Sequence, residues 1–262
     1  MAACRDEVVL TTKVFWRMGH GPNGRGGSRY HILRELDRSL RRLATDHVNV
    51  YLLHGRDYGT AFADTVATML DVVHQGKARA WGMCNFVAWE ACQALAIASR
   101  LGGPAPVCVQ NPYSLLNRGL ERDMLLFCRE ERLGVMAYSP MALGLLTGFY
   151  RPGRPAPPGS LWATGRRDLY ETAFAGQALE ELDVGEGIAR AHERDGLPHG
   201  SPSPAHVALS WVLAHPEVTV AIVGCDTPAQ VDANIGAAEW NLSADERAAL
   251  DRVSASAALA VQ

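Results

Sequence analysis

Lysine and histidine, two side chains that can orient or move protons, occur near the ends of short apolar runs. Lys13 lies in VVLTTKV, and His54 ends VNVYLLH. Together such groups can polarise a carbonyl, because a nearby cation changes the pKa of a histidine and both groups donate hydrogen bonds. For either residue alone, an ordinary structural role at a strand end is the favoured explanation. The ends of the other apolar runs carry Cys84 and Asn85, Gln110, Tyr138 and Ser139, and Gly224.

Short apolar runs that alternate with longer amphipathic stretches would position these residues. Runs of this length, without a polar face, are typical of parallel strands buried on both sides. They predict strands at Val8–Val14, Val48–Leu53, Ala80–Met83, Val107–Gln110, Val135–Tyr138 and Thr219–Ile222.

Helical periodicity separates the predicted strands. Ser28 is a suitable N-cap for a helix whose apolar stripe contains Ile32, Leu36, Leu40 and Leu43. Further helices are predicted at Phe62–Gln75, Trp89–Arg100, Leu120–Glu131, Ala178–Arg194, Pro204–Ala214, Thr227–Ala238, and from Ser243, which forms a capping-box pattern with Glu246.

The repeated strand–helix order predicts an α/β fold of the TIM (β/α)8-barrel type, with a parallel sheet and right-handed crossovers. No linker divides the chain, so residues 1–262 are expected to form a single barrel domain. The carboxyl ends of barrel strands face a common axis. We therefore expect Lys13, His54, Asn85, Gln110 and Tyr138 to converge on one pocket.

Composition argues against several kinds of partner. The net charge of −3 and the scattered basic residues do not favour nucleic acid, and no run approaches the roughly 18 apolar residues of a membrane span. The charged first ten residues are unlike a signal peptide, so a cytoplasmic protein is expected.

No cysteine or histidine cluster has metal-ligand spacing. Buried thiols, rather than disulfides or a metal site, are therefore expected for Cys4, Cys84, Cys92, Cys108, Cys128 and Cys225.

The glycine-rich stretch GHGPNGRGGS contains a formal G-x-G-x-x-G pattern at Gly19, Gly21 and Gly24. A dinucleotide-binding turn of this kind opens a helix directly after a strand. Several residues separate this pattern from the preceding strand, and the next helix begins only after Ser28. The stretch is therefore predicted to be a loop, as is RPGRPAPPGS at Arg151–Ser160.

Six motifs in chain order resemble the aldo-keto reductases, (β/α)8-barrel enzymes that reduce aldehydes and ketones with NADPH. They are TTK, VYLLH, GMCNF, QNPYSLLNR, AYSPMALGLLTG and IVGCDTPAQVDANIGAAEWNLS. The resemblance implies that Lys13 and His54 belong to the catalytic tetrad. It also implies a cofactor site with Asn85 and Gln110 at the nicotinamide carboxamide, Tyr138 on its ring, Ser139, Leu143 and Gly144 beneath the pyrophosphate, Gln230 and Asn234 at the adenine, and Gly224 nearby.

In that family the tetrad also contains a tyrosine acid and an aspartate, on segments before the strand predicted at Val8–Val14. Only seven residues precede that strand here. At about 30 residues per βα unit, about 60 residues would be missing, so an incomplete barrel without its first two units is expected. Tyr58 is the nearest tyrosine to His54 in sequence, and an ordinary loop role is favoured over a role as replacement acid. Slow carbonyl reduction is therefore expected.

Two further departures concern the cofactor phosphates. Phe149 replaces a lysine of the family motif LLTGKY, and Asp226 stands where many members carry an arginine. An aspartate repels a 2′-phosphate but can accept a hydrogen bond from a free ribose hydroxyl. The sequence therefore implies NADPH or NADH without indicating a preference for NADPH.

Three functions remain open at this point. The chain is expected to be an oxidoreductase acting on a small carbonyl compound, or a catalytically inactive relative that binds a nucleotide or partner, or a cofactor-independent cyclase or dehydratase using His54 and Lys13. The incomplete barrel would expose the edges of Val8–Val14 and Thr219–Ile222, and apolar edges favour self-association. A homo-oligomer assembled through that gap is therefore expected.

Overall fold

The computed structural model describes residues 2–164, 170, 172, 177–193 and 202–255. The chain divides into two compact units, the first comprising Met1–Asn111 and Leu126–Val135, the second Pro112–Leu125 and Met136–Gln262. Whether residues 1–262 act as a single domain stays a prediction. None of the described helices is long and apolar enough to cross a membrane.

The described strands form one sheet in which neighbours along the chain are also hydrogen-bonded neighbours. The first four pair in parallel, as predicted for an α/β fold. Val8 and Val9 precede the first strand and are exposed, so the predicted start at Val8 is wrong by three residues. The strands are β1 (Thr11–Val14), β2 (Val48–Leu53), β3 (Ala78–Cys84), β4 (Cys108–Pro112), β5 (Gly134–Tyr138) and β6 (Val218–Ile222).

Helices follow the strands, as the periodicity predicts. They are α1 (Arg29–Leu43), α2 (Phe62–His74), α3 (Ala88–Arg100), α4 (Met124–Glu131), α5 (Leu161–Thr164), α6 (Gln177–Ala191), α7 (Pro204–Leu213), α8 (Pro228–Ile235) and α9 (Ala244–Val253). Short 3-10 turns occupy Ala2–Glu7, Gly119–Arg122, Ala142–Thr147 and Gly236–Ala238.

Two predicted helices are interrupted. The stretch Leu120–Glu131 is a 3-10 turn followed by α4, because Asp123 between them has the non-helical angles φ −152° and ψ −39°. The stretch Thr227–Ala238 contains α8 and a 3-10 turn, with Thr227 outside the helix as its N-cap. The predicted helix end at Arg194 lies outside the described residues.

In the first unit, close strand packing depends on a glycine. Leu52 of β2 lies opposite Gly82 of β3 in the parallel register. A Cβ atom at position 82 would lie 2.7 Å from the Cys108 carbonyl oxygen and 2.8 Å from a Leu52 methyl group. Only a residue without a side chain therefore fits between these strands.

Helix α1 covers one face of this unit. Ser28 caps it by accepting a hydrogen bond from the His31 backbone N–H at 3.3 Å, and Ile32, Leu36 and Leu40 of the predicted stripe are buried. The Tyr51 hydroxyl of β2 donates to the Ile32 carbonyl oxygen at 3.1 Å. Burial of the stripe accounts for most of the stabilisation of such a helix.

The second unit has an aromatic core. The Tyr113 ring lies 5.3 Å from Trp211 of α7 and 5.2 Å from His215, and the Arg118 guanidinium lies 5.2 Å over the Trp211 ring. Ser243 caps α9 through the predicted capping box. These contacts place α7 and α9 against the residues that follow β4.

Candidate active site

A cleft of about 140 Å³ in the first unit contains both Lys13 and His54. Lys13 lies opposite Leu52 in the register of β1 and β2, and His54 follows Leu52 by two residues, so both side chains point to the same face. The His54 backbone N–H donates to the Val14 carbonyl oxygen at 2.9 Å, which fixes the position of the histidine at the strand end. The structure places both residues on this cleft, whereas their convergence on one pocket with Asn85, Gln110 and Tyr138 stays a prediction.

The environment of His54 favours its neutral form. Burial lowers the pKa of His54, and the positive charge of Lys13 lowers it further. The exposed Trp16 ring lies edge-on to the imidazole, with 5.9 Å between centroids and planes at 79°. A neutral imidazole beside an ammonium group can donate a hydrogen bond to a carbonyl oxygen that the ammonium also attracts.

Asn85 contacts His54, and Gln110 contacts Asn85, but neither is among the residues that line the cleft containing Lys13. The Asn85 side-chain amide donates to the His54 carbonyl oxygen at 3.2 Å, and its backbone N–H donates to the Gln110 carbonyl oxygen at 3.0 Å. Asn85 has a positive φ of 62°, which asparagine tolerates better than most residues. Gln110 is buried. The structure thus brings three of the predicted residues together in the first unit.

Tyr58 does not line the cleft. Its side chain is 78% exposed, and its hydroxyl donates to the Glu90 carboxylate at 2.6 Å. That hydrogen bond raises the pKa of Tyr58, because the neutral phenol is the form that donates. A role as replacement acid for His54 is not supported by this arrangement. Among the described residues that line the cleft, none is a tyrosine.

In the second unit, the segment after β5 has an unusual backbone. Tyr138 ends the strand, and its carbonyl oxygen accepts from the Tyr113 N–H at 3.2 Å. Ser139, Leu143 and Gly144 all have positive φ, at 54°, 57° and 92°. A Cβ atom at Gly144 would lie 2.8 Å from the Tyr150 ring, so this position requires glycine. Consecutive N–H groups in such a conformation can cradle an anion.

Gly224 and Gln230 lie near the start of α8, whereas Asn234 lies in its last turn, one residue before the helix ends at Ile235. The Gln230 side-chain oxygen accepts from the backbone N–H of Asp226 at 2.6 Å, and the Asn234 amide donates to the Cys225 sulfur at 3.3 Å. Gly224 is exposed, with open space where a side chain would lie. Both amide residues therefore hold the loop that precedes the helix. Phe149 and Asp226, the two residues that differ from the family motifs, are exposed.

Sequence reasoning missed four polar residues of the first-unit cleft. His31, Glu35, Ser39 and Arg42 line it from α1, and the first three are buried. They recur at intervals of four, four and three residues, which is the helical period. The same spacing that predicted the apolar stripe of α1 would have predicted this polar stripe beside it.

Asp57 anchors the glycine-rich loop Gly19–Ser28. Its carboxylate accepts from the Gly27 N–H at 2.7 Å, the Thr60 hydroxyl at 2.8 Å and the Gly59 N–H at 2.9 Å. Burial alone would raise the pKa of Asp57, but these hydrogen bonds hold it below its ordinary value. Gly26, with a φ of 97°, gives the loop its turn before the anchor.

The cysteine prediction is half right. Cys84, Cys108 and Cys128 are buried, whereas Cys4 and Cys92 are exposed. Cys4 lies in the first 3-10 turn and Cys92 in α3, and Cys225 is half-buried. Burial raises the pKa of Cys84 to about 12 and that of Cys108 to about 11.

Known proteins resemble this chain over most of its length. A putative voltage-gated potassium channel subunit beta from Schizosaccharomyces pombe is 33% identical over 238 residues, covering 90% of this chain and 67% of that protein. The uncharacterized oxidoreductase YrpG of Bacillus subtilis is 35% identical over 242 residues, covering 91% and 69%. The L-glyceraldehyde 3-phosphate reductase of Escherichia coli O157:H7 is 30% identical over 256 residues, covering 96% and 71%.

The sequence model of the Aldo/keto reductase family matches residues 2–255. That match covers nearly the whole chain, so it does not support the expectation of a missing catalytic segment, and an incomplete barrel is not confirmed. The parallel strands and alternating helices are consistent with the TIM-type barrel of this family. The chain belongs to the aldo/keto reductase family.

Proposed function

We propose that this protein is a nicotinamide-dependent oxidoreductase that reduces a small aldehyde or ketone to an alcohol. The observation that carries the proposal is that Lys13 and His54 share one cleft, where burial and, to a lesser extent, the charge of Lys13 lower the pKa of His54. Two hydrogen-bond donors beside each other favour the developing negative charge on a carbonyl oxygen.

Each residue has a distinct role in this proposal. Neutral His54 donates a hydrogen bond to the substrate oxygen and so orients the carbonyl. Lys13 supplies a fixed positive charge that stabilises the oxygen as it becomes negative. The Asn85 amide, bonded to the His54 carbonyl oxygen, keeps the histidine at the strand end. The Trp16 ring packs against the imidazole, with 5.9 Å between the ring centroids.

The chain has residues of the kind a nicotinamide dinucleotide requires. When bound, the cofactor would supply the hydride. In the first unit, Asn85 and Gln110 are proposed to hold the carboxamide. In the second unit, the positive-φ backbone from Ser139 to Gly144 suits a pyrophosphate, because a side chain at position 144 would not fit. The other proposed contacts of that unit are Tyr138, Leu143, Gly224, Gln230 and Asn234.

The choice between NADH and NADPH is open in this proposal. Phe149 adds no charge near a phosphate, and exposed Asp226 would repel a 2′-phosphate. Fluorescence titration with each cofactor measures the two affinities directly. The Asp226→Asn variant should bind NADPH more tightly and NADH about equally, because it removes only the repulsion.

Turnover of a generic aldehyde tests the reaction itself. We expect Lys13→Met and His54→Ala each to reduce kcat by about a hundredfold or more, the typical contribution of positioned acid–base and electrostatic groups. The matched control is His74→Ala, which removes an exposed histidine at the end of α2. Equal activity of His54→Ala and His74→Ala would contradict the proposed role of His54.

A second candidate is a relative that binds a nucleotide or a partner without turnover. It is favoured by the lack of a tyrosine among the described residues lining the Lys13 cleft, and by the similarity to proteins named as potassium channel beta subunits. Saturable cofactor binding without aldehyde reduction would select this candidate. Self-association through an exposed strand edge remains a proposal.

A further inference from the structure

The turn from Ala142 to Gly144 in the second unit has a backbone conformation that most residues avoid. Ala142, Leu143 and Gly144 follow one another with φ values of 49°, 57° and 92°. Glycine adopts such angles readily, whereas the Cβ atom of any other residue then lies too close to a backbone carbonyl oxygen. Ala142 and Leu143 must therefore be held in this conformation by their surroundings.

Trp162 of α5 supports the turn from the interior. Its side chain is fully buried, and its indole N–H donates to the Leu143 carbonyl oxygen at 3.0 Å. An indole nitrogen only donates, so a backbone carbonyl oxygen is a partner that satisfies it. The bond fixes the direction of the Leu143 carbonyl group.

The peptide group between Leu143 and Gly144 is held at both ends. Its carbonyl oxygen accepts from Trp162, and its N–H donates to the Met141 carbonyl oxygen at 3.0 Å. The carbonyl oxygen of Gly144 accepts from the Thr147 hydroxyl at 2.6 Å. Because a peptide group rotates as a rigid plane, a flip at this point would break the bonds at both of its ends.

Two tyrosine rings connect Trp162 to the other side of the turn. The Tyr170 ring lies 6.1 Å from Trp162 and 5.9 Å from Tyr150, measured between centroids. A Cβ atom at Gly144 would lie 2.8 Å from the Tyr150 ring, so this ring packs directly on the turn. Aromatic pairs at these distances are favourable. The turn is therefore enclosed by a tyrosine ring on Gly144 and by the indole bond to Leu143.

We propose that Trp162 is a positioning residue that holds this turn in the conformation that binds the cofactor pyrophosphate. The inference rests on the proposed function, in which the backbone from Ser139 to Gly144 contacts that group. Trp162 acts through the Leu143 carbonyl and does not itself touch the cofactor. Backbone strain is concentrated at ligand-binding turns and persists only where neighbouring groups restrain it, and the indole bond is such a restraint.

Loss of the indole bond should weaken cofactor binding without changing the residues that contact the cofactor. The apparent Kd of a ligand rises as the fraction of binding-competent molecules falls. Trp162→Phe keeps an aromatic ring and removes the donor. Because one hydrogen bond contributes modestly to the stability of a conformation, we expect the Kd of the nicotinamide cofactor to rise about three- to tenfold.

ADP-ribose separates the turn from the rest of the cofactor site, because it contains the pyrophosphate but no nicotinamide. Trp162→Phe should weaken ADP-ribose by the same factor as the whole cofactor. Asn85→Gly, which removes a proposed carboxamide contact and tolerates the positive φ of that position, should weaken the whole cofactor alone. Isothermal titration calorimetry with the full chain measures these affinities without turnover.

Trp81 provides the matched control for the loss of a buried indole. It is also fully buried, and its N–H donates to a backbone carbonyl oxygen, that of Pro104 at 2.9 Å, in the first unit. Trp81→Phe and Trp162→Phe should both destabilise the chain in chemical denaturation. Only Trp162→Phe should change the Kd of ADP-ribose.

A glycine at position 143 tests whether Trp162 acts by holding a strained turn. Leu143→Gly keeps the carbonyl group but removes the Cβ atom that makes the positive φ unfavourable. The turn should then keep its conformation without the indole bond. In the Leu143→Gly background, we expect Trp162→Phe to raise the Kd of ADP-ribose by less than about twofold. A tryptophan that only fills the core would have the same effect in both backgrounds.

A second restraint on the turn can be tested if Trp162→Phe does not fold. Thr147→Val is close in shape to the original residue and removes the hydroxyl that donates to the Gly144 carbonyl oxygen. It should also raise the Kd of ADP-ribose, and Leu143→Gly should again reduce the effect.

Amide hydrogen exchange examines the turn without any cofactor. The N–H groups of Gly144 and Leu146 both donate to the Met141 carbonyl oxygen, at 3.0 and 3.3 Å. Both should exchange faster in Trp162→Phe, because the turn then opens more often, and at the original rate in Trp81→Phe.

Three results would overturn the inference. They are unchanged exchange of the turn in Trp162→Phe, equal ADP-ribose affinities of the two tryptophan variants, and no rescue by Leu143→Gly. Failure of the unaltered chain to bind NADH, NADPH or ADP-ribose would refute the proposed function and, with it, the cofactor role of the turn. Hydrogen exchange would then still decide whether Trp162 holds the turn.

Discussion

Cys84 of β3 and Gln110 of β4 are partners in the parallel register, and the Cys84 thiol donates to the Gln110 side-chain oxygen at 3.6 Å. Both residues are buried. This contact assigns the orientation of the amide: its oxygen faces the sulfur, and its NH2 group faces away. A buried thiol thus acts as a positioning group for an amide proposed to contact the cofactor.

The thiols should differ sharply in reactivity. Because burial raises the pKa of Cys84 to about 12 and that of Cys108 to about 11, almost no thiolate is present at pH 8. We expect an alkylating reagent to modify exposed Cys4 and Cys92 in the native protein, and the buried residues only after unfolding. Mass spectrometry of native and denatured samples measures this. Rapid native labelling of Cys84 would contradict the arrangement at Gln110.

Removing the charge of Lys13 should raise the pKa of His54. Burial, the larger cause of the lowered pKa, remains in Lys13→Met, so the value should rise without exceeding the ordinary one. An NMR titration of the imidazole protons measures the change. The control is Lys77→Met, which removes the chain's other lysine, a partner of Asp37 at 2.8 Å. An equal shift in both variants would mean that Lys13 does not act locally.

Glu181 should make the second unit sensitive to alkaline pH. It is 1% exposed, neither oxygen has a partner among the described residues, and burial raises its pKa to about 8. Since the folded pKa is above the ordinary 4.5, the stability linked to its proton is complete below pH 4.5 and is lost as the pH rises through 8.

The Glu181→Gln variant isolates this effect. At pH 9 we expect the variant to have the higher melting temperature and a free energy of unfolding larger by on the order of a few kcal/mol. Near pH 5 the two chains should have the same melting temperature. Glu239→Gln, which changes an exposed glutamate of the same unit, should alter neither value. A pH-independent effect of Glu181→Gln would indicate a change in packing instead.

Gly82→Ala should destabilise the first unit. The added methyl group would lie 2.7 Å from the Cys108 carbonyl oxygen, a backbone atom that cannot move without disturbing β4. Overpacking of this kind typically costs about 1–3 kcal/mol in the free energy of unfolding. Gly187→Ala is the matched control, since nothing lies within 4 Å of that position in α6 and alanine favours helix. Chemical denaturation measures both values.

Local sequence patterns were sufficient for much of the fold. The strand at Val48–Leu53 has the predicted bounds, and Ser28 and Ser243 cap helices as predicted, because these features depend on residues close together in sequence. The break at Asp123 was missed because an apolar stripe continues across it.

The candidate site was predictable only in part. The alternation of side chains along β1 and β2 was enough to predict that Lys13 and His54 lie on one face of the sheet. The partner of Tyr58 was not predictable, since Glu90 lies 32 residues further along the chain. The polar residues of α1 that line the cleft were missed because a search for apolar periodicity assumes that histidine and glutamate face solvent. Glu35 can be buried because Arg34 and Arg38 form ion pairs with its carboxylate.

The anchor at Asp57 has a consequence for how this family member can be altered. The glycine-rich loop is held at its exit by Asp57 and by the hydrogen bond from the Gly26 N–H to the Phe15 carbonyl oxygen at 2.7 Å. Its tip closes on itself, with the Met18 N–H donating to the Gly24 carbonyl oxygen at 2.8 Å. Replacement of the tip should therefore preserve the register of β1 and α1 only where Gly24 is kept, because a Cβ atom there would lie 2.6 Å from the Gly19 carbonyl oxygen.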